Sequence, residues 1–488
     1  MKSRCALLLL LLAVSTWAAS LEDRIGQIIS DSAVARRAHW GIRMVDARTG
    51  EALYERAAES HFVPASNTKL FSTALALSRL GPDHRFHTVV AARQAPDANG
   101  RIAGDLILAG GGDPTLSARA IPYKKGPIEG NPLAAIEELA RTVVGRGVRV
   151  VEGDIAGDDT FYEWEPAPDG WSQDDAAWEY GAPVSALTLN DNAFSLTIRP
   201  GARAGEPARL RPNPPIEYYY IDNRIRTEAG ATPKVSIERR PGSREIRLSG
   251  VVPPTWKGTT ELMAVDDPAL YAAVAFRQAL ERLGVRVMGR AVARHRLGGE
   301  AFAGERESWQ ELAHRTSPPL VEILRVINKV SQNLHAELML REVGRVRGGA
   351  GNREQGLKEL EAFLGEAGVA KGDYRFEDGS GLSRLTLVTP TVVTKLLLHM
   401  YRGPHRDAWV SLLPVGGEDG TLATRFSGEA SARLVHAKTG TLSHVSGLSG
   451  YLDAPSGTRI FSILVNNYNT GASEIRSTID KICLAALE

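Results

Sequence analysis

Apolar residues recur every three or four positions over residues 66–80, 319–329, 333–343, 353–367 and 391–401, a period that lines them along one face of an α-helix. Residues 21–35, 267–283 and 473–487 follow the same rule. Elsewhere the period falls to two. Residues 39–46 and 51–56 read as strands joined by the turn Ala47-Arg48-Thr49-Gly50. Residues 433–439, 445–452 and 458–465 read as three more, with Ala454-Pro455-Ser456-Gly457 turning the last pair. Strands at both ends of the chain with helices between them predict an α+β fold, in which one antiparallel sheet is assembled from the two ends and covered by helices.

The middle has a different texture. Residues 86–253 are read mostly as short strands and turns, among them 104–108, 148–155, 187–199 and 234–249. The expected organisation is a leader over residues 1–20, a first domain made of residues 21–85 and 256–488, and one or two β-rich modules inserted over residues 86–255. Helix 267–283 is expected to return the chain to the first domain.

Composition then bears on compartment. Lys2 and Arg4, an apolar run over residues 6–14, and Ala18, Ala19 and Ser20 give the order of a secretory signal peptide cut near Ser20, a retained anchor being the other reading. The run is shorter than the about 20 apolar residues a membrane span needs, so the expectation is an exported, periplasmic protein. Arg4 before Cys5 argues against a lipid anchor, while peripheral attachment to the membrane is left open. Loss of the leader leaves Cys483 alone, without a disulfide partner, and its place in an amphipathic stretch predicts a buried helix cysteine. With 58 basic and 57 acidic residues the chain has no electrostatic footprint for nucleic acid. Its histidines show no metal-ligand spacing, and Gly110-Gly111-Gly112 is followed by no G-K-[ST], so neither a metal nor a nucleotide cofactor is expected.

The chemistry lies in three short patterns in chain order: Ser66-Asn67-Thr68-Lys69, Ser331-Gln332-Asn333 and Lys438-Thr439-Gly440. One helical turn puts Ser66 and Lys69 on one face, and a lysine whose ammonium is suppressed by burial can take the serine proton as the oxygen attacks a carbonyl. Ser331 and Asn333, between two apolar-periodic helices, suit a tight loop at a cleft wall. There Ser331 can pass a proton to a leaving amine and Asn333 can hold a substrate amide; a helix cap is the plainer reading of the same residues. Lys438 and Thr439 end an extended run and offer charge and hydrogen bonds to a terminal carboxylate, with Gly440 allowing substrate backbone to approach. The backbone N–H groups of Ser66 and Thr441 would form an oxyanion hole.

This ordered triple is that of serine penicillin-binding proteins and serine β-lactamases. Further strings extend the likeness: Gly104-Asp105-Leu106 through Gly110-Gly111-Gly112-Asp113-Pro114, Asp378-Gly379-Ser380-Gly381-Leu382-Ser383-Arg384, and Gly416-Gly417-Glu418-Asp419-Gly420-Thr421-Leu422. The chain resembles the class C low-molecular-mass penicillin-binding proteins, the D-alanyl-D-alanine carboxypeptidase/endopeptidase family. The resemblance implies a transpeptidase-like, β-lactamase-like domain with a five-stranded antiparallel sheet, and peptidoglycan peptides as substrates. It implies an acyl-enzyme on Ser66 and β-lactams as covalent inhibitors. It also places Asp158, or its neighbour Asp159, and Arg384 near a diaminopimelate side chain, the aspartate on its ammonium and Arg384 on its carboxylate. A β-lactamase shares the three motifs, but no E-x-x-L-N segment is present to supply a deacylating glutamate. A noncatalytic wall-binding protein is the alternative of another class.

Overall fold

The computed structural model describes residues 20–300 and 309–488. The leader expected over residues 1–20 therefore lies almost wholly outside the described residues. Among those residues no helix is long and apolar enough to cross a membrane.

The predicted terminal sheet forms. Its antiparallel order is Val435–Leu442, Val445–Ala454, Gly457–Asn466, His39–Asp46, Ala52–Arg56, so that strands from the two chain ends meet at the centre. The strand carrying Lys438 is an edge of the sheet, its first residues bridged on the outer side by Pro414–Gly416. Terminal helices Leu21–Ser30 and Ala472–Ala485 cover one face, burying Ile25, Ile29, Ile475, Ile479 and Cys483 against Ile42, Met44, Leu448 and Ile463. Helices Thr68–Leu80, Leu320–Val330, Asn333–Gly348, Arg353–Glu366 and Pro390–Arg402 form the other layer around Leu70, Phe71, Ile327, Leu338 and Leu396.

The middle of the chain builds a core of its own, and it is larger than the sequence reading allows. A mixed sheet runs in the order Ala291–Arg296, Ile155–Glu163, Leu106–Ala109, His87–Ala92, Gln310–Thr316. The last two strands pair antiparallel, so the chain enters and leaves this region side by side. The expected boundary at residue 256 is thus displaced to about Thr316. Helix Pro268–Arg282 does not return to the first region; it packs on Ile155–Glu163, Ala291–Arg296 and helix Ala134–Gly145 through Ala269, Ala272, Phe276 and Leu280. The helix Ala134–Gly145 was not foreseen, although Ile136, Leu139, Ala140 and Val143 mark a buried face at helical spacing. Three small three-stranded sheets complete the region among the described residues: Thr259–Ala264, Ala193–Arg199 and Arg209–Asn213; Tyr220–Thr227, Glu245–Val252 and Lys234–Glu238; and Arg286–Val287, Val150–Val151 and Arg101–Ile102.

Candidate active site

Ser66 sits in a 3-10 turn, Ala65–Asn67, that runs directly into the helix Thr68–Leu80. Ala65 holds a left-handed backbone, φ 49°, just before it. A non-glycine residue there is strained by about 1–3 kcal/mol, a cost that persists only where the surroundings impose it. The surroundings are two glycines. A Cβ on Gly440 would stand 2.5 Å from the Pro64 oxygen and from Asn67 Nδ2, and one on Gly381 would stand 1.9 Å from the Ala65 oxygen. The glycine of K-T-G therefore serves the packing of the serine turn. Gly381, at φ 78°, also uses a conformation that favours glycine.

Lys69 Nζ donates to Ser66 Oγ at 2.9 Å, to Asn333 Oδ1 at 2.6 Å and to the Ser380 carbonyl at 2.6 Å. The residue is fully buried. Burial drives its pKa down to about 7, against the pull of Asp378, Glu337 and Glu179. Ser331 caps helix Leu320–Val330 in a left-handed conformation, φ 64°. Gln332, not Ser331 or Asn333, caps the next helix by accepting from the His335 N–H. Ser331 and Asn333 are thereby released toward the lysines. Lys438 Nζ donates to Ser331 Oγ at 2.8 Å and to the Thr439 carbonyl at 2.8 Å. It is fully buried, and burial followed by repulsion from Lys69 holds its pKa well below the lysine value. A buried amine bonded in this way is suited to relaying a proton through Ser331, and less to presenting a fixed charge. The Thr439 hydroxyl donates to Thr421 Oγ1 at 2.9 Å.

A cleft of about 740 Å³ opens over Ser66, Ser331 and Asn333. Arg384, Thr441, Leu442 and Ser443 line one flank, and Arg384 donates to the Ser443 carbonyl at 3.3 Å. The inserted region supplies a second wall with Asp174, Asp175, Glu179 and Tyr180, and it meets the Arg384 flank at Gly170, whose carbonyl accepts the Arg384 N–H at 3.4 Å. That wall is docked by Asn333, whose amide donates to the Tyr180 carbonyl at 2.7 Å, and by Trp171, whose indole N–H reaches Asp378 at 3.0 Å.

Nine of the ten residues expected at the site gather on these elements: Ser66, Lys69, Ser331, Asn333, Lys438, Thr439, Gly440, Thr441 and Arg384. Asp158 does not. It is 3% exposed inside the mixed sheet, paired in register with Ala109 and accepting from Thr160, and it does not line the cleft. Asp159 is equally buried, bonded to Ser185 and His295. The acidic groups that do face the cleft are Asp174, Asp175 and Glu179. Two further residues were missed. The Ser380 carbonyl fixes Lys69, and buried Glu337 accepts the Gly379 and Ser380 N–H groups at 2.9 Å while pairing with Arg341 at 3.2 Å. An oppositely charged pair at i, i+4, Glu337 and Arg341, within the apolar stretch of the helix was the available signal.

A family model for the D-Ala-D-Ala carboxypeptidase 3 (S13) family matches residues 21–486. The D-alanyl-D-alanine carboxypeptidase of Actinomadura sp. (strain R39) is 38% identical over 470 residues, covering 93% of this chain and 82% of that one. The D-alanyl-D-alanine carboxypeptidase DacB of Haemophilus influenzae is 23% identical over 419 residues, covering 85% and 82%. The crystal structure of penicillin-binding protein 4 (dacB) from Haemophilus influenzae superposes with a TM-score of 0.81 at 20% identity, over 95% of this chain and 99% of that one. At that identity the superposition shows a shared fold. A model that spans the fold from its first helix to its last, and a relative alike over most of both lengths, establish that the chain belongs to the D-Ala-D-Ala carboxypeptidase 3 (S13) family.

Proposed function

We propose that this protein is a serine-type D-Ala-D-Ala carboxypeptidase/endopeptidase that works through an acyl-enzyme on Ser66. The observation that carries the reading is the pair of short contacts, Lys69 to Ser66 at 2.9 Å and Lys438 to Ser331 at 2.8 Å, facing a single cleft. Neutral Lys69 takes the Ser66 proton as Oγ attacks the carbonyl of the penultimate D-alanine. The oxyanion is held by the N–H groups of Ser66, in a helix's first turn where such groups lack intrahelical partners, and of Thr441. Ser331, bonded to Lys438, passes a proton to the departing amine, and water then hydrolyses the ester. The leaving residue's carboxylate is taken by the Thr439 hydroxyl, whose single proton turns to it from Thr421.

On the acyl side Asp174, Asp175 and Glu179, which line the same cleft as Arg384, suit a side chain that carries both an ammonium and a carboxylate, as a diaminopimelate-type peptide does. Asp175 or Asp174 takes the role first given to Asp158. The substrates are then peptidoglycan stem peptides and their crosslinks, met in the periplasm after export. β-Lactams acylate the same serine; the related Haemophilus influenzae protein has been crystallised with a novel β-lactam. The test is chromatographic detection of D-alanine released from a peptide ending in D-Ala-D-Ala. The wild-type chain should turn over and Ser66→Ala should not; equal release by both would overturn the assignment.

A further inference from the structure

Residues 117–131 carry none of the motifs and form a loop without regular structure between the mixed sheet and helix Ala134–Gly145. Its two ends lie together, since a Cβ on Gly130 would stand 2.7 Å from the Ala118 carbonyl oxygen. Arg119 fixes the root: its Nε donates to buried Asp191 at 2.5 Å, and the residue lines the cleft. The tip reaches the first region. There the Gly420 N–H donates to the Tyr123 hydroxyl at 3.2 Å, and Lys125 Nζ donates to the Glu418 carbonyl at 2.7 Å.

The turn it reaches is next to the reacting groups. Thr421 accepts the Thr439 hydroxyl at 2.9 Å, and Asp419 accepts Lys329 Nζ at 2.5 Å, two residues before Ser331. Two hydrogen bonds and one peptide unit of about 3.8 Å thus connect Tyr123 to Thr439. Arg384, by contrast, is bonded at Ser443, about 13 Å further along the chain by strand rise. The loop therefore ties the inserted region, whose Arg119 lines the cleft, to the turn that carries Thr421, at the Thr439 position where a leaving residue's carboxylate must sit.

Resting on the acyl-transfer reading above, we propose that this loop bounds the leaving-group subsite. It selects a small leaving residue, free D-alanine, over one whose side chain carries a second peptide strand. In both reactions the leaving residue's carboxylate lies at Thr439, and the substrates differ in what projects from the leaving residue's Cα, a methyl group or a crosslinked chain. A strap anchored at both ends limits the second without touching the first, which is selection by exclusion.

Two variants test this: one in which Gly-Gly replaces residues 120–129, which retains the Arg119–Asp191 pair and uses the closeness of the loop's ends, and the double substitution Tyr123→Ala/Lys125→Ala. For each, kcat/KM is measured for D-alanine release from an uncrosslinked peptide and for cleavage of a D-Ala-crosslinked dimer, with the rate of benzylpenicillin acylation as a control. The ratio of dimer to monomer cleavage should rise about tenfold or more while acylation stays within about twofold. An unchanged or lower ratio in either variant that acylates at the parental rate overturns the proposal, and the double substitution decides if the deletion does not fold. A parental chain that neither releases D-alanine nor acylates would instead refute the acyl-transfer reading, before any variant is made.

Discussion

Lys69 gives the account its most quantitative consequence. An ordinary lysine with a pKa near 10.5 is neutral in about three molecules in ten thousand at pH 7, whereas one at about 7 is neutral in half of them. Complete burial therefore enlarges the basic population roughly a thousandfold, about 5 kcal/mol in favour of the neutral amine, net of the opposing carboxylates. The sign follows: the competent form is present above about pH 7 and is lost below it, to about one molecule in a hundred at pH 5. The second-order rate of benzylpenicillin acylation, followed by intact mass after acid quench, should rise about tenfold from pH 5 to 6, bend near 7 and level by about 8. Lys69→Arg, charged at every accessible pH, should lose about a thousandfold at about pH 8, where the parent has levelled. A flat profile between pH 5 and 8, or an arginine variant within about tenfold of the parent, would refute the assignment of Lys69 as the base.

Two other substitutions probe how the site is held. Gly440→Ala places a methyl group 2.5 Å from the Pro64 oxygen and must displace the serine turn, so acylation should fall about a hundredfold, read by the same mass assay, with the melting temperature showing whether folding is spared. Glu337→Ala strands buried Arg341 and two N–H groups of the Ser380 loop, and should lower stability by about 3–5 kcal/mol in denaturant unfolding; a loss below about 1 kcal/mol would remove Glu337 as the loop's anchor.

What is legible in the sequence depends on the range of the interactions. The helices and strands of the first region were legible because each buries one face, and periodicity records that face residue by residue. The convergence of Ser66, Ser331 and Lys438 was legible because three patterns have one joint explanation. The inserted region was not, because its sheet pairs His87–Ala92 with Gln310–Thr316, a contact across more than two hundred residues that no local pattern announces. Asp158 failed for a related reason. An aspartate in an extended run gives the same local signal whether it faces a cleft or, as here, its own sheet, while Asp174 and Asp175 reach the cleft only through the docking of a distant turn on Asn333 and Asp378. Glu337 was hidden inside a helix whose apolar face was already accounted for.

Catalysis through an acyl-enzyme requires that one hydroxyl, the Ser66 Oγ, become covalently bound. The most direct measurement is peptide mapping by mass spectrometry of the chain after brief exposure to benzylpenicillin and acid quench, with Ser66→Ala and Ser331→Ala alongside. A single penicilloyl group is expected on the peptide containing Ser66, absent from Ser66→Ala, with Ser331→Ala slowed but modified at the same residue. A penicilloyl group on any other serine, or an unmodified Ser66 in a chain that still releases D-alanine, would contradict it.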